Sequence, residues 1–125
     1  MQNRIFGIMD NGENVYLIKL FSNELSVNIL TFGAILQNMH FKQRSVVLGY
    51  NELQPYIKNK FYYGAVIGRF ANRLKNGYAK LSHGTIQADI NTDTGHHIHG
   101  GSKGSCYKNW QILEQSQSHV VLEVL

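Results

Sequence analysis

The chain has 125 residues, 43% hydrophobic and 16% charged, a balance that suits one globular domain over residues 1–125 and excludes a long disordered polymer. The net charge of +4 comes from lysines scattered along the sequence (Lys19, Lys42, Lys58, Lys60, Lys75, Lys80, Lys103, Lys108), so no dense basic run supports nucleic-acid binding. A single cysteine, Cys106, excludes an internal disulfide framework, and no apolar run has the form of a leader peptide or a bilayer span. The expectation is a soluble cytoplasmic protein with neither a membrane nor a nucleic-acid partner.

Short runs of β-branched and aromatic residues alternate with polar ones from the first residues onward, the period of half-buried strands. Strands are expected over residues 4–9, 15–21, 25–30, 34–41, 46–48, 78–81, 85–89, 109–114 and 119–125. Asp10-Asn11-Gly12 signals a turn after the first. Residues 52–59, around the lone Pro55, read as a short loop or helical turn. Asn76-Gly77 is a strong hairpin signal, because both residues tolerate positive φ, and it is expected to join 73–75 to 78–81. Many short strands with turn residues between them predict an all-β fold, an antiparallel β-sandwich. The segment 119–125 is a strongly apolar strand with no turn or charge cluster to close it. Natural sheets cover such edges, so the sandwich is expected to be incomplete and to continue in a longer protein, with oligomerisation through this strand as an alternative.

Two stretches offer chemistry. Residues 63–74 set small residues and glycines around Arg69, Asn72 and Arg73. Glycine admits close approach, arginine presents a planar fork of donors, and asparagine both donates and accepts, which together suit sugar hydroxyls. A turn stapled by a buried arginine fits the same pattern.

The second stretch, NTDTGHHIHGGSKG at 91–104, holds three histidines. On a strand, His97 and His99 would share one face and His96 the other. Two histidines make half a zinc site, and Asp89 and Asp93 show no ligand spacing to complete it, so no metal is expected. Gly100-Gly101-Ser102-Lys103-Gly104 lacks the Lys-Ser/Thr ending and following helix of a phosphate loop. Cys106 has no evident base and reads as a small buried thiol. There remains His99, aimed off a strand end with two glycines giving a ligand room, where an imidazole can exchange a hydrogen bond or proton with an oxygen near neutral pH; a satisfied structural histidine fits the same residues.

The whole chain resembles the aldose 1-epimerases, or galactose mutarotases, in their N-terminal part. Thr31-Phe32-Gly33-Ala34-Ile35-Leu36 is similar to an early strand of that family, and Val46-Val47-Leu48-Gly49-Tyr50 leading to Tyr56 to its Val-Val-Leu-Gly-aromatic segment. The most specific matches are Gly64-Ala65-Val66-Ile67-Gly68-Arg69-Phe70-Ala71-Asn72-Arg73 and Ile98-His99-Gly100-Gly101, followed by Lys103-Gly104 and Trp110. One departure is His96, where the family usually has asparagine.

The resemblance implies a supersandwich fold and interconversion of the α and β anomers of free hexoses such as galactose and glucose, with no metal or organic cofactor. It implies that His99 acts near the ring oxygen and that Asn72 and Arg73 bind sugar hydroxyls. It also implies that the general base, a glutamate, and a second histidine lie beyond residue 125, leaving this chain alone inactive. Two rival expectations are a noncatalytic carbohydrate-binding module using Asn72, Arg73 and His99, and a relative acting on hexose 6-phosphates through Lys75 and Lys103.

Overall fold

Residues 3–58 and 61–125 are described by the computed structural model; Asn59, the last residue of the expected loop or helical turn, lies outside them. The alternating first half folds as a meander. β1 (Arg4–Ile8), β2 (Asn14–Ser22), β3 (Leu25–Leu30), β4 (Leu36–Phe41) and β5 (Arg44–Ser45) pair in chain order, all antiparallel. Val15 and Leu17 alternate onto one face of β2 and meet Leu30, Phe32, Ile35, Leu53 and Tyr56 in one buried cluster. Each such side chain contributes about 1.5–3 kcal/mol by leaving water. The helical turn expected around Pro55 is α1 (Leu53–Ile57), where proline in the first turn sacrifices no helical hydrogen bond. It lies over Gly7 of β1: a Cβ there would come within 2.7 Å of Leu53 Cβ.

Two-stranded ribbons follow. β7 (Tyr78–Leu81) pairs with β8 (Gly84–Gln87), β6 (Arg73–Leu74) with β9 (His97–Ile98), and β10 (Gln111–Gln115) with β11 (Val120–Glu123), all antiparallel. A bridge between Phe32 and Asn109, with Trp110 N–H donating to Thr31 O at 2.8 Å, ties the last ribbon to the meander. The fold class is therefore all-β and antiparallel. Among the described residues no helix is long and apolar enough to cross a membrane.

Three expectations are corrected. The strand expected at 34–41 starts at Leu36, because Gly33 (φ 65°) and Ala34 (φ 47°) form a tight corner closed by Ile35 N–H to Phe32 O. The strand expected at 46–48 is absent. The corner at Lys42-Gln43 (φ 47° and 67°) puts the pairing at Arg44–Ser45, after which the chain leaves the sheet, because Gly49 and Tyr50 are drawn onto Gln37 and Tyr56. Tyr50 N–H donates to Tyr56 Oη at 2.7 Å, and Gln37 Nε2 to Tyr50 O at 2.9 Å.

The third correction concerns Asn76-Gly77, which does adopt positive φ (54° and 62°) but joins no hairpin. It sits in a 3-10 turn (Lys75–Gly77) that swings the chain from β6, paired with β9, to β7, paired with β8. Asn76 N–H is taken by His96 Nδ1 and Gly77 O by Ala88 N–H, so the turn is satisfied from other segments.

Candidate functional site

The site is built on the short β6–β9 ribbon. Arg73 stands opposite Ile98 and Leu74 opposite His97, which sets Asn72 and His99 side by side where the ribbon ends. His99 (φ 54°) and Gly100 (φ 86°) are the two central residues of a corner closed by Gly101 N–H to Ile98 O at 3.0 Å. Left-handed backbone at a non-glycine residue costs about 1–2 kcal/mol. Two hydrogen bonds with Asn72 offset it: His99 N–H donates to Asn72 O at 3.1 Å, and Asn72 N–H donates to His99 Nδ1 at 3.0 Å.

The second bond assigns the tautomer. An Nδ1 that accepts a backbone N–H carries no proton, so the ring proton is on Nε2 and that edge is a donor. The ring stands edge-on to Tyr62, centroids 4.8 Å apart.

Arg73 lines a cleft of about 660 Å³ together with Tyr62, Asn91, Asp93, Ser102 and Tyr107. Among the described residues it has no carboxylate partner, so its guanidinium is free for a ligand. Burial, and then the Tyr62 side chain to which it is hydrogen-bonded, push the Tyr107 phenol well above its ordinary range, so it stays neutral. The ring centroids are 6.2 Å apart.

The structure thus brings Asn72, Arg73 and His99 to one end of one ribbon, while separating the histidines expected to share a face. His97 is 2% exposed and turns inward, its Nδ1 2.9 Å from Asp89 O and its ring edge-on to Phe70. The left-handed φ at His99 ends strand alternation there. His96 has a local task on Asn76. Among the described residues no three His, Cys, Asp or Glu side chains gather where they could hold a metal ion.

Sequence reading missed Tyr62, Tyr107 and Asn91. The last acts as a strand surrogate: its Nδ2 donates to Ile98 O at 2.9 Å and its Oδ1 accepts Ile98 N–H at 2.7 Å. The Asn91-Thr92-Asp93 run marks a loop, and nothing local to it points at Ile98.

The model of the aldose 1-epimerase family matches residues 16–125. The chain belongs to the aldose 1-epimerase family. The Bos taurus protein named galactose mutarotase is 35% identical over 106 residues, which are 80% of this chain and 31% of that protein. The solved GalM/aldose epimerase homologue from C. elegans superposes with a TM-score of 0.79 at 26% identity, covering 86% of this chain and 35% of that one. Galactose 1-epimerase from Lactobacillus acidophilus gives a TM-score of 0.78 at 26% identity, covering 95% and 36%. The chain spans about a third of the length of these relatives. The antiparallel sheets described above are thus part of a mutarotase-like sandwich, and the ribbon carrying Asn72, Arg73 and His99 sits in an epimerase scaffold.

Proposed function

We propose that this chain supplies the binding and acid-side half of an aldose 1-epimerase site, which interconverts the α and β anomers of a free hexose such as galactose. The observation that carries the reading is the Asn72–His99 pair: Asn72 N–H occupies Nδ1 and leaves Nε2 as the donor of the imidazole, at the ribbon end next to Arg73, which has no carboxylate partner among the described residues. In mutarotation a base takes the anomeric hydroxyl proton while the ring oxygen gains one. The C–O bond to the ring oxygen breaks, the aldehyde turns, and closure on its other face gives the other anomer.

A donor fixed at Nε2 can hydrogen-bond the ring oxygen as negative charge grows there, while Arg73 and the Asn72 amide hold hydroxyls and keep the sugar in register. Neither a metal nor an organic cofactor is assigned. Among the described residues no carboxylate is bonded to His99 or Tyr62, and Asp89 is committed to Ser102. We infer that the anomeric base is a carboxylate outside this chain, with Asp93, which lines the cleft of Arg73, as the alternative within it.

Polarimetry of freshly dissolved α-galactose tests this. The 125-residue chain should bind galactose yet leave the drift at the buffer rate. Acceleration that disappears in His99→Ala would keep the site and overturn the missing base, and Asp93→Asn would then show whether the cleft carboxylate serves. No binding at all would remove the sugar reading. Against hexose 6-phosphates stands the position of Lys103, which lines a different cavity, with Arg69 and Lys108, from the cleft of Arg73.

A further inference from the structure

His99 is the corner residue of a turn, so its ring is aimed by whatever holds the turn's two arms. The incoming arm is fixed by Asn72 and by Asn91, as described. The outgoing arm, Gly101-Ser102, is held by one side chain from a distant segment. Asp89 Oδ2 accepts both the backbone N–H and the hydroxyl of Ser102, each at 2.8 Å.

The same residue reaches the strand that feeds the turn. His97 Nδ1 lies 2.9 Å from Asp89 O and 3.2 Å from Asp89 Oδ1, so its proton serves both oxygens. Gly101 is threaded between the two partners: at φ 79° any Cβ would fall on Asp89 Oδ1 and come within 2.8 Å of His97 Cε1. One carboxylate thereby ties residue 97, before His99, to residue 102, after it.

From this clasp, and resting on the hexose reading above, we infer that Asp89 is a positioning residue for His99: it sets the imidazole edge offered to the sugar without touching the sugar itself. Charge-assisted hydrogen bonds are shorter and stronger than neutral ones, and a tight turn held from both sides has little freedom to rotate its corner. Ser102's donors also hold the Asp89 carboxyl below its ordinary range, the sign of a carboxylate engaged in its ionised form.

The decisive variants are Asp89→Ala, which removes both anchors of the carboxylate, and Asp89→Asn, which keeps an oxygen for Ser102. The readouts are the nitrogen-15 shifts of the His99 ring, which report whether Nδ1 still accepts from Asn72, and galactose affinity by titration. Asp89→Ala should move the His99 ring nitrogens toward a tautomer mixture and weaken galactose binding by roughly tenfold, the scale on which misplacing one contact acts. Asp89→Asn should restore both in large part, and the Trp110 indole signal should stay put in each.

Unmoved His99 nitrogens in Asp89→Ala overturn the inference, whatever galactose does. If the unaltered protein fails to bind galactose, the hexose reading falls, while the ring shifts still decide the positioning role. Should Asp89→Ala not fold, Ser102→Ala, which removes one of the two donors to Oδ2, must produce the same shifts in smaller degree. Its silence would equally overturn the role.

Discussion

Gly12 and Gly100 share the same φ, 86°, and differ in what surrounds the missing side chain. A Cβ on Gly12 meets nothing within 4 Å; on Gly100 it lands on the carbonyl oxygen of Gly68 and 3.1 Å from Arg69 N. Alanine at either position pays for left-handed backbone, about 1 kcal/mol or slightly more, and the loss of chain freedom in the unfolded state is common to both. At Gly100 there is a second cost, because the obstructing atoms are backbone and cannot swing aside. Forcing such a shift costs about 1–3 kcal/mol, the range for overpacked sites. Gly12→Ala and Gly100→Ala should therefore melt roughly 5–15 °C apart, with Gly100→Ala the lower, when followed side by side by circular dichroism. Gly95→Ala, at φ 78° with open space around it, should track Gly12→Ala. Equal melting of Gly12→Ala and Gly100→Ala would refute the close approach of the His99 turn to Gly68.

Phe32, 2% exposed at the centre of the core, should cost about 3–5 kcal/mol when cut to alanine, against less than about 0.5 for Leu48→Ala at 76% exposure; urea midpoints give both. The Asp89 carboxyl is held below its ordinary value of 3.8, first by the Ser102 N–H and then by the Ser102 hydroxyl, so its stabilisation is whole above that value and drains as pH falls from it through the lowered folded value. The melting gap between the unaltered protein and Asp89→Ala should hold steady from about pH 8 to about pH 5 and narrow below about pH 4; a gap that full protonation leaves unchanged would contradict the charge-assisted clasp. Tyr107 has the opposite sign: its phenol lies above the ordinary 10.0, so its contribution is complete below that value and is lost as pH rises through the raised one. Ultraviolet titration of Tyr62→Phe should lower the Tyr107 midpoint yet leave it above 10.0, because burial is the larger cause.

Where alternation and turn chemistry sit within one short window, sequence and structure agree closely. The strands at Leu25–Leu30 and Tyr78–Leu81 carry the bounds that period-two patterning predicts, and Pro55 marks a short helix. The motifs around Asn72-Arg73 and Ile98-His99-Gly100-Gly101 were legible as candidates because their order and spacing resemble the aldose 1-epimerases; by residue type alone a stapled turn and a structural histidine fit as well. Their mutual placement was not legible. Val46-Val47-Leu48 has every local mark of a strand, yet Tyr56 and Gln37, several residues away on either side, draw the following residues off the sheet.

What the sequence by itself determined, then, is the all-β antiparallel class and the family, since these follow from local periodicity and from residue types in order. The tertiary structure alone decided that Arg73 pairs with Ile98 rather than folding back on Tyr78, that His97 turns inward onto Asp89 while His99 bonds to Asn72, and that Asp89 closes on Ser102. Each of these is a choice of hydrogen-bond partner between segments 8 to 27 residues apart. Every backbone donor and acceptor can pair with many others in the chain, so packing, not propensity, selects which pairs close.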